Sequence, residues 1–302
     1  MNPFEFSILI STKNRSRDLF ISLSQVYDLI TPNVTCVVYD DGSSDDTYEM
    51  VKTHFPKVIL YRNETSKGYI YCRNVMLNTT KADYAISLDD DAHFLVTNPL
   101  ECIKRYFMNS PKCSVIAFRI FWSKETLTDS KSIDIPHVVN AFVGCGHAWR
   151  MKSWRDIPKY PEWYHFYGEE VFASFQLFKS KWEIHYVPEI LIQHRVDMKL
   201  RSLQKNDFNF RYRHALRSDW FNILLFIPIN RIPNLMGYSI WMQFRNKIFK
   251  GNFKVIFPMI MAILDVLFYF PKISKNKNRL SEVEYTDYLK LKEVNIYWKP
   301  EN

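Results

Sequence analysis

The chain has 302 residues, of which 47% are hydrophobic and 24% are charged. This composition excludes disordered, collagen-like and low-complexity proteins, because it supplies ample apolar surface for a buried core. The five cysteines are scattered and show no metal-binding spacing, which argues against a disulfide framework or a zinc module. Residues 1–10 lack the basic and long apolar segments of a secretory signal. We therefore expect a reducing, cytosolic setting.

The net charge of +8 is unevenly distributed along the chain. Residues 1–194 carry 21 basic and 23 acidic side chains, whereas residues 195–302 carry 19 basic and 9 acidic ones. A cationic and apolar last third points to contact with an anionic partner, usually membrane lipid or nucleic acid. The cations here alternate with large apolar residues and no zinc-finger or RRM signature is present, which favours lipid over nucleic acid.

The first 110 residues alternate between strand and helix patterns. Apolar, β-branched runs predict strands at residues 6–10, 34–39, 57–61 and 84–88, and helical patterns fill the intervals between them. The dipeptide Asn98-Pro99 is typical of a helix start. Strands separated by helices predict an α/β fold with a mostly parallel sheet flanked by helices. In such sheets ligands bind beyond the carboxyl ends of the strands.

The second part of the chain is mixed and then helical. Strands are predicted at residues 114–121 and 183–187, and a helix at residues 169–181. We divide the chain into a catalytic domain, residues 1–210, and a basic amphipathic helical tail, residues 211–302. Within the catalytic domain, residues 1–110 form the nucleotide-binding half and residues 111–210 the acceptor half.

The tail is predicted to lie on a membrane surface. Its last apolar stretch, residues 255–270, falls short of the roughly 20 residues that a spanning helix needs. Basic residues alternate with bulky apolar ones, as in interfacial helices; the apolar set is Trp220, Phe221, Leu224, Leu225, Trp241, Phe244 and Phe249. The alternative is an ordinary helical cap with solvated arginines.

Three adjacent carboxylates, Asp89 to Asp91, follow the buried strand at residues 84–88. Adjacent carboxylates repel one another unless a cation or water neutralises them. Oxygen ligands without cysteine favour Mn²⁺ or Mg²⁺. The alternative is an acidic turn that faces solvent.

Two further clusters follow strand ends. Asp40 and Asp41 precede Gly42-Ser43, where carboxylates can accept hydrogen bonds from a base or a ribose; the alternative is capping of the next helix by Ser43 or Ser44. Lys67 and Arg73 place cations near a predicted helix start, where they can approach phosphate. The alternative there is a solvated helix face.

Taken in order, these segments resemble family 2 glycosyltransferases of the GT-A fold. The resemblance rests on Thr12-Lys13-Asn14-Arg15, Asp40-Asp41-Gly42-Ser43-Ser44-Asp45, Asn63-Glu64-Thr65-Ser66-Lys67-Gly68, Arg73-Asn74, the Asp-x-Asp at Asp89 and Asp91, Gly168-Glu169-Glu170, and Val187-Pro188-Glu189 with His194. These motifs cover about two thirds of the chain.

The resemblance implies roles for individual residues. The nucleotide would contact Thr12, Asn14, Arg15, Asp40, Asp41, Lys67, Arg73, Asp89 and Asp90. Asp91 would bind Mn²⁺ or Mg²⁺, with His194 as a further ligand or a structural histidine; the division of work between Asp90 and Asp91 stays open. One carboxylate of Glu169 and Glu170 would act as general base, and we favour Glu170.

The implied activity is inverting transfer of a sugar from a nucleotide-diphosphate sugar to a saccharide or lipid-linked saccharide, in cell-surface polysaccharide synthesis at the inner face of the cell membrane. One alternative is a nucleotidyltransferase, but no glycine-rich triphosphate loop follows the first strand. The other is a catalytically inactive nucleotide-sugar-binding protein. The presence of both the metal acids and the glutamate pair argues against it.

Overall fold

A computed structural model describes residues 5–127, 130–196 and 205–294. The described strands are β1 Phe6–Thr12, β2 Val34–Asp40, β3 Ile59–Arg62, β4 Tyr84–Asp89, β5 Ala92–Phe94, β6 Cys113–Trp122, β7 His137–Val139, β8 Gly146–Arg150 and β9 Glu183–His194. The described α-helices are α1 Ser16–Val26, α2 Thr47–His54, α3 Tyr69–Thr79, α4 Pro99–Asn109, α5 Met151–Arg155, α6 Glu169–Lys179, α7 Lys205–Phe226, α8 Ile232–Asn246, α9 Ile256–Asn276 and α10 Glu282–Tyr288.

One sheet runs through the centre of the molecule in the order β3-β2-β1-β4-β8-β6-β9-β5, and β7 pairs with β9. Strands β3, β2, β1 and β4 are parallel, as predicted. Strand β8 lies antiparallel between β4 and β6, so the sheet becomes mixed beyond β4. The predicted α/β class, with helices on the sheet and a helical C-terminal region, is confirmed.

Strands β1 and β4 are buried along almost their whole length, because helices cover both faces of the sheet. Helix α1 contributes one apolar stripe of Leu19, Leu23 and Val26 to the core. Each parallel strand ends in polar residues at the same edge of the sheet, and β1 and β2 reach Thr12 and Asp40 in register. This edge therefore collects the polar clusters found in the sequence.

Strand β9 is longer than the sequence pattern indicated. The predicted strand ended at residue 187, just before Pro188, which cannot donate a ladder hydrogen bond. Instead the pairing shifts: Phe118 pairs with Val187, and Arg119 with Leu191. The strand resumes after this irregularity and continues to His194, which pairs with Ala92 of β5. The irregular register thus brings His194 next to the acids that follow β4.

Helix α7 packs against the segment that precedes α6. The Ser218 hydroxyl and the Asn222 amide donate to the carbonyls of Phe166 and Gly168, at 3.3 and 3.1 Å. The buried Arg217 donates to the Tyr164 carbonyl and pairs with Asp265 of α9. The predicted boundary between residues 210 and 211 falls inside this helix.

The structure corrects which part of the tail is exposed. Trp220, Phe221 and Leu225 are buried, because the face of α7 that carries them packs into the core. The apolar stretch predicted at residues 255–270 belongs to a longer helix. Within the described residues, the stretch Phe253–Asn276 is long and apolar enough to cross a membrane by length and composition, and 28% of its most apolar window is buried.

Candidate functional site

A pocket of about 540 Å³ opens at the carboxyl ends of the parallel strands. It is lined by residues from the strand ends, from the loop before α6 and from the start of α7: Ser11, Thr12, Lys13, Arg15, Asp41, Ser66, Gly68, Tyr69, Arg73, Asp89, Asp90, Trp122, Val143, Gly144, Cys145, His165, Phe166, Glu170, His194, Phe210 and Arg211. Its position is the one that a doubly wound sheet offers to a ligand.

Asp89, Asp91 and His194 form a cluster at one wall of the pocket, and one ligand atom from each lies within 4.8 Å of the others. His194 Nε2 lies 2.9 Å from Asp91 Oδ1 and 3.8 Å from Asp89 Oδ2. Burial opposes the charged form of His194, but Cys145 and Asp91 raise its pKa to about 11. A divalent cation would replace that proton, since metal ligands are deprotonated. Two carboxylates and an imidazole fit Mn²⁺ well, and the carboxylates also fit Mg²⁺.

The central acid, Asp90, has different neighbours. Its carboxylate accepts a 2.8 Å hydrogen bond from the Thr12 hydroxyl and lies 3.1 Å from Arg15 Nε. Burial raises the pKa of Asp90 to about 7, although the Arg15 charge opposes this shift. Arg15 also lies 2.6 Å from Asp91, so one guanidinium joins the end of β1 to the acid cluster. Asp90 and Asp91 thus have different neighbours: Thr12 and Arg15 for Asp90, and His194 and Arg15 for Asp91.

Asp41 holds the neighbouring loop at residues 63–68 in direct contact. Its carboxylate accepts hydrogen bonds from Asn63 Nδ2, the Ser66 hydroxyl and the backbone N–H groups of Lys67 and Gly68, at 2.6–2.8 Å. Burial opposes ionisation, but these four donors lower the pKa of Asp41. The carboxylate therefore stays charged and holds the 66–68 turn in place.

Three of the residues predicted to bind the nucleotide do not line the pocket and instead contact the segments around it. Asp40 is fully buried and accepts hydrogen bonds from the Ser43 N–H and hydroxyl. Asn14 accepts a 2.7 Å hydrogen bond from the Ser44 N–H through its side chain, which ties the loop after β1 to the loop after β2. The Lys67 ammonium lies over the Tyr71 ring. Helix α2 begins at Thr47, so neither Ser43 nor Ser44 caps it.

Arg73 connects the acid cluster to the glutamate pair. This buried guanidinium on α3 lies 2.6 Å from Asp89 Oδ1, 3.0 Å from Glu169 Oε1 and 3.2 Å from Glu170 Oε1. It also donates to the Gly144 carbonyl at 3.0 Å and lies over the Tyr69 ring. We expected Arg73 to border the nucleotide. The structure gives it five protein partners and places it between the two groups of acids.

Glu169 and Glu170 start α6, directly after Gly168 in a left-handed conformation. The Glu169 side chain is 0% exposed, whereas that of Glu170 is 16% exposed and lines the pocket. Burial and the Glu169 charge raise the pKa of Glu170, against the opposing effect of Arg73. Of the two, Glu170 is the carboxylate that a ligand can reach.

The structure thus brings most of the predicted site residues to one pocket. Asn14, Asp40, Lys67, Asp91 and Glu169 are outside its lining, although each contacts the lining or its supporting loops. The pocket is also lined by residues that were not predicted as site residues: Ser11, Tyr69, Trp122, Phe210 and Arg211. Trp122 could have been suspected from the sequence, because it directly follows the strand predicted at residues 114–121. In the structure its ring lies 5.0 Å from that of His194. Phe210 and Arg211 carry no local signal, since only the packing of α7 brings them here.

Comparisons with known structures place this fold in the GT-A class. The crystal structure of GalNAc-T7 with UDP, GalNAc and Mn²⁺ aligns with a TM-score of 0.59, at 15% identity, over 74% of this chain and 48% of that one. The mannosyltransferase PcManGT from Pyrobaculum calidifontis, in complex with GDP-Man and Mn²⁺, aligns with a TM-score of 0.58, at 14% identity, over 94% of this chain and 83% of that one. At these identities the likeness concerns the fold.

Sequence comparison identifies the family. The family model described as Glycosyl transferase family 2 matches residues 7–174, more than half of the chain. The chain belongs to this family. It is 27% identical over 107 residues to the UDP-Glc:alpha-D-GlcNAc-diphosphoundecaprenol beta-1,3-glucosyltransferase WfaP of Escherichia coli. That match spans 35% of this chain and 42% of the relative, so the chain matches less than half the length of this relative.

Proposed function

We propose that this protein is a metal-dependent, inverting glycosyltransferase that moves a sugar from a nucleotide-diphosphate sugar to an acceptor hydroxyl. One observation carries the proposal: a single pocket is lined by Asp89 and His194, which form a cluster with Asp91 behind them, and by Glu170, with Arg73 between Asp89 and Glu170. This arrangement supports a diphosphate site next to a base. Family membership and the fold support the same conclusion.

The strand ends would hold the nucleotide. Thr12 and Arg15 border the pocket at the end of β1, and the loop held by Asp41 forms the opposite border. Asp89 and Arg15 lie where ribose and diphosphate groups can reach them. Mn²⁺ or Mg²⁺ held by Asp89, Asp91 and His194 would supply positive charge at the diphosphate oxygens. Arg15 would add to that charge without moving, because its two acid contacts fix it.

Glu170 would act as the general base. Its carboxylate is exposed to the pocket and is held by Arg73 on the side facing Gly144. In an inverting transfer the acceptor hydroxyl attacks the anomeric carbon from the side opposite the departing diphosphate, and its proton passes to the base. Glu170 lies across Arg73 from Asp89 of the acid cluster, which supports this role. Glu169 would help to hold Arg73 in position beside Glu170, since Arg73 Nη1 contacts both carboxylates.

We propose a lipid-linked saccharide as the acceptor, with the protein at the inner face of the cell membrane in cell-surface polysaccharide synthesis. The relative WfaP is described as acting on a GlcNAc-diphosphoundecaprenol, which supports an acceptor of this class. The +10 charge of residues 195–302, from 19 basic and 9 acidic side chains, supports contact with anionic lipid. The aromatic residues Phe166 and Phe210 at the pocket edge offer faces on which a sugar can stack.

We expect one nucleoside diphosphate to stabilise the protein only when Mn²⁺ or Mg²⁺ is present. Ligand at a hundredfold excess over Kd stabilises the native state by about 2.7 kcal/mol, enough to raise Tm measurably. The measurement is a thermal-shift series with UDP, GDP, dTDP and CMP, each with and without metal. Asp91→Ala should abolish the metal-dependent part of the shift, because the cluster loses a buried ligand.

The control for this series is Asp28→Ala, which removes an exposed carboxylate far from the pocket and should leave every shift intact. A shift of equal size with and without metal would contradict the metal role of the cluster. The absence of a shift with all four nucleotides would contradict nucleotide binding, and with it the proposed function.

A further inference from the structure

Helix α9 exposes a continuous apolar face to solvent. Leu267 and Phe268 are 65% and 76% exposed, and Phe257, Ile260 and Leu264 belong to the same stripe at helical spacing. Large exposed apolar patches on a protein surface mark sites of interaction with a protein or a membrane. These exposed fractions are measured in the folded chain, so no described helix or strand covers this face.

Basic residues flank this apolar face at both ends. Lys250 and Lys254 precede α9, and Lys272 and Lys275 lie in its last turns; all four are exposed. No ion pair of these lysines with a described carboxylate is present. An apolar stripe between lysines is complementary to an anionic bilayer, whose headgroups attract the cations while its acyl boundary accepts the apolar side chains.

The opposite face of α9 is fixed to the rest of the protein. Arg213 Nε and Nη2 contact the two oxygens of Asp265 at 2.7 and 2.6 Å, and Arg217 contacts Asp265 at 3.4 Å. A helix that crossed a bilayer would have to carry this ion pair and α7 with it, at high cost. Although α9 is long enough to span, its charged attachment to α7 favours a position in the plane of the surface.

The pocket lies beside the same helix. Tyr269 of α9 hydrogen-bonds His165 with a 3.1 Å distance between its hydroxyl and Nε2, and His165 lines the pocket. The Tyr269 ring also stacks on Trp163, in the loop that leads to Glu169. A surface that receives the exposed face of α9 would therefore lie close to the mouth of the pocket.

We infer that the exposed face of α9, with its flanking lysines, docks in the plane of an anionic lipid bilayer and sets the mouth of the pocket near that bilayer. The inference rests on the proposed function only through the lipid-linked acceptor, which such docking would bring within reach.

The test is flotation of the purified full chain with phosphatidylcholine vesicles that contain or lack phosphatidylglycerol. The chain should float with the anionic vesicles at low salt. The triple variant Leu264→Glu/Leu267→Glu/Phe268→Glu should lose binding more than about tenfold, because burial of each apolar side chain is replaced by a charge. Lys250→Glu/Lys254→Glu should weaken binding by about fivefold or more per lysine. Met108→Glu is the matched control, since Met108 is 67% exposed on the distant helix α4 and should float like the unaltered chain.

Orientation is tested by placing cysteines at the two ends of α9, Lys254→Cys and Lys272→Cys, in vesicle-bound protein. A membrane-impermeant thiol reagent should label both positions from outside, as found by peptide mapping. Labelling at only one end would indicate a spanning helix and would overturn the in-plane inference. Failure of the unaltered chain to float, or flotation of the triple variant at the unaltered level, would overturn the docking surface. A dimer that the triple variant dissociates, without flotation, would assign the face to a second copy and would also overturn it.

Nucleotide-dependent thermal shifts measured on the same preparations separate this inference from the proposed function. Loss of flotation with intact nucleotide shifts contradicts the docking surface alone. Flotation without any nucleotide shift contradicts the proposed function alone.

Discussion

Glu170→Gln is expected to reduce glycosyl transfer by about 10²–10⁴-fold while metal-dependent binding of the nucleoside diphosphate persists. The amide has the shape of the carboxylate but cannot take the proton of an attacking hydroxyl. Because Glu170 stands apart from the cluster of Asp89, Asp91 and His194, the substitution leaves that cluster intact. The measurements are the transfer rate with saturating donor and acceptor, and the thermal shift with the diphosphate.

The pH profile gives a second readout of this substitution. Burial and the Glu169 charge raise the pKa of Glu170, so the fraction of deprotonated base grows as pH rises through that pKa. Transfer by the unaltered protein should rise over the same interval, and this limb should disappear in Glu170→Gln. Glu189→Gln, at an exposed carboxylate paired with Arg105, is the control and should keep both rate and profile. Near-normal transfer by Glu170→Gln would remove Glu170 from the role of base, and an equal loss in a folded Glu169→Gln would assign it to Glu169.

Gly144→Ala is expected to lower transfer by about a hundredfold with little loss of stability. A Cβ atom at this position would lie 1.8 Å from Glu170 Oε1 and 3.1 Å from Arg73 Nη1. The carboxyl group is the far end of a flexible side chain, so it would move aside and the fold would persist. Displacing a catalytic group by about 1 Å costs about 10²-fold in rate. The transfer rate and the Tm report the two effects separately.

Gly237→Ala is the matched control for this substitution, because a Cβ atom there meets nothing within 4 Å. Gly237 lies inside α8, where alanine favours the helix over glycine by about 1 kcal/mol, so Tm should stay level or rise. Transfer should be unchanged. If Gly144→Ala transferred sugar as fast as Gly237→Ala, the close approach of residue 144 to Glu170 would have no functional meaning.

Most of the first half of the fold was predictable, because its longer elements have a local sequence pattern; the three-residue strand β5 was not predicted. The β-branched runs and helical periods of residues 6–109 correspond to β1 to β4 and α1 to α4, within a few residues at their ends. Strand β8, at residues 146–150, was not predicted. Its place between β4 and β6 depends on two antiparallel partners that are distant in sequence. Local patterns carry no information about such pairing.

The sequence predicted most residues of the site, but it did not predict how they contact one another. The polar residues at the ends of β1, β2 and β4 had to meet, since parallel strands bring their carboxyl ends to one edge. The partners of Arg73 could not be foreseen. Its guanidinium contacts Glu169 and Glu170, which lie 96 and 97 residues after it in the chain. Asp40 and Asp41 are adjacent and chemically alike. Only the structure shows that Asp40 is buried and hydrogen-bonded to Ser43, whereas Asp41 lines the pocket.

The sequence by itself determined the family, the order of most strands and helices in residues 1–110, and the chemical types gathered at the strand ends. It could do so because hydrophobic period and short motifs are local properties of the chain. The tertiary structure decided which glutamate reaches the pocket, how the bulge in β9 delivers His194, and which helix turns an apolar face to solvent. Trp220 and Phe268 are both large apolar residues in a basic tail, yet one is 1% and the other 76% exposed. That difference arises from packing between distant segments, in which α7 is buried against the core and α9 is attached through Asp265 on its inner side.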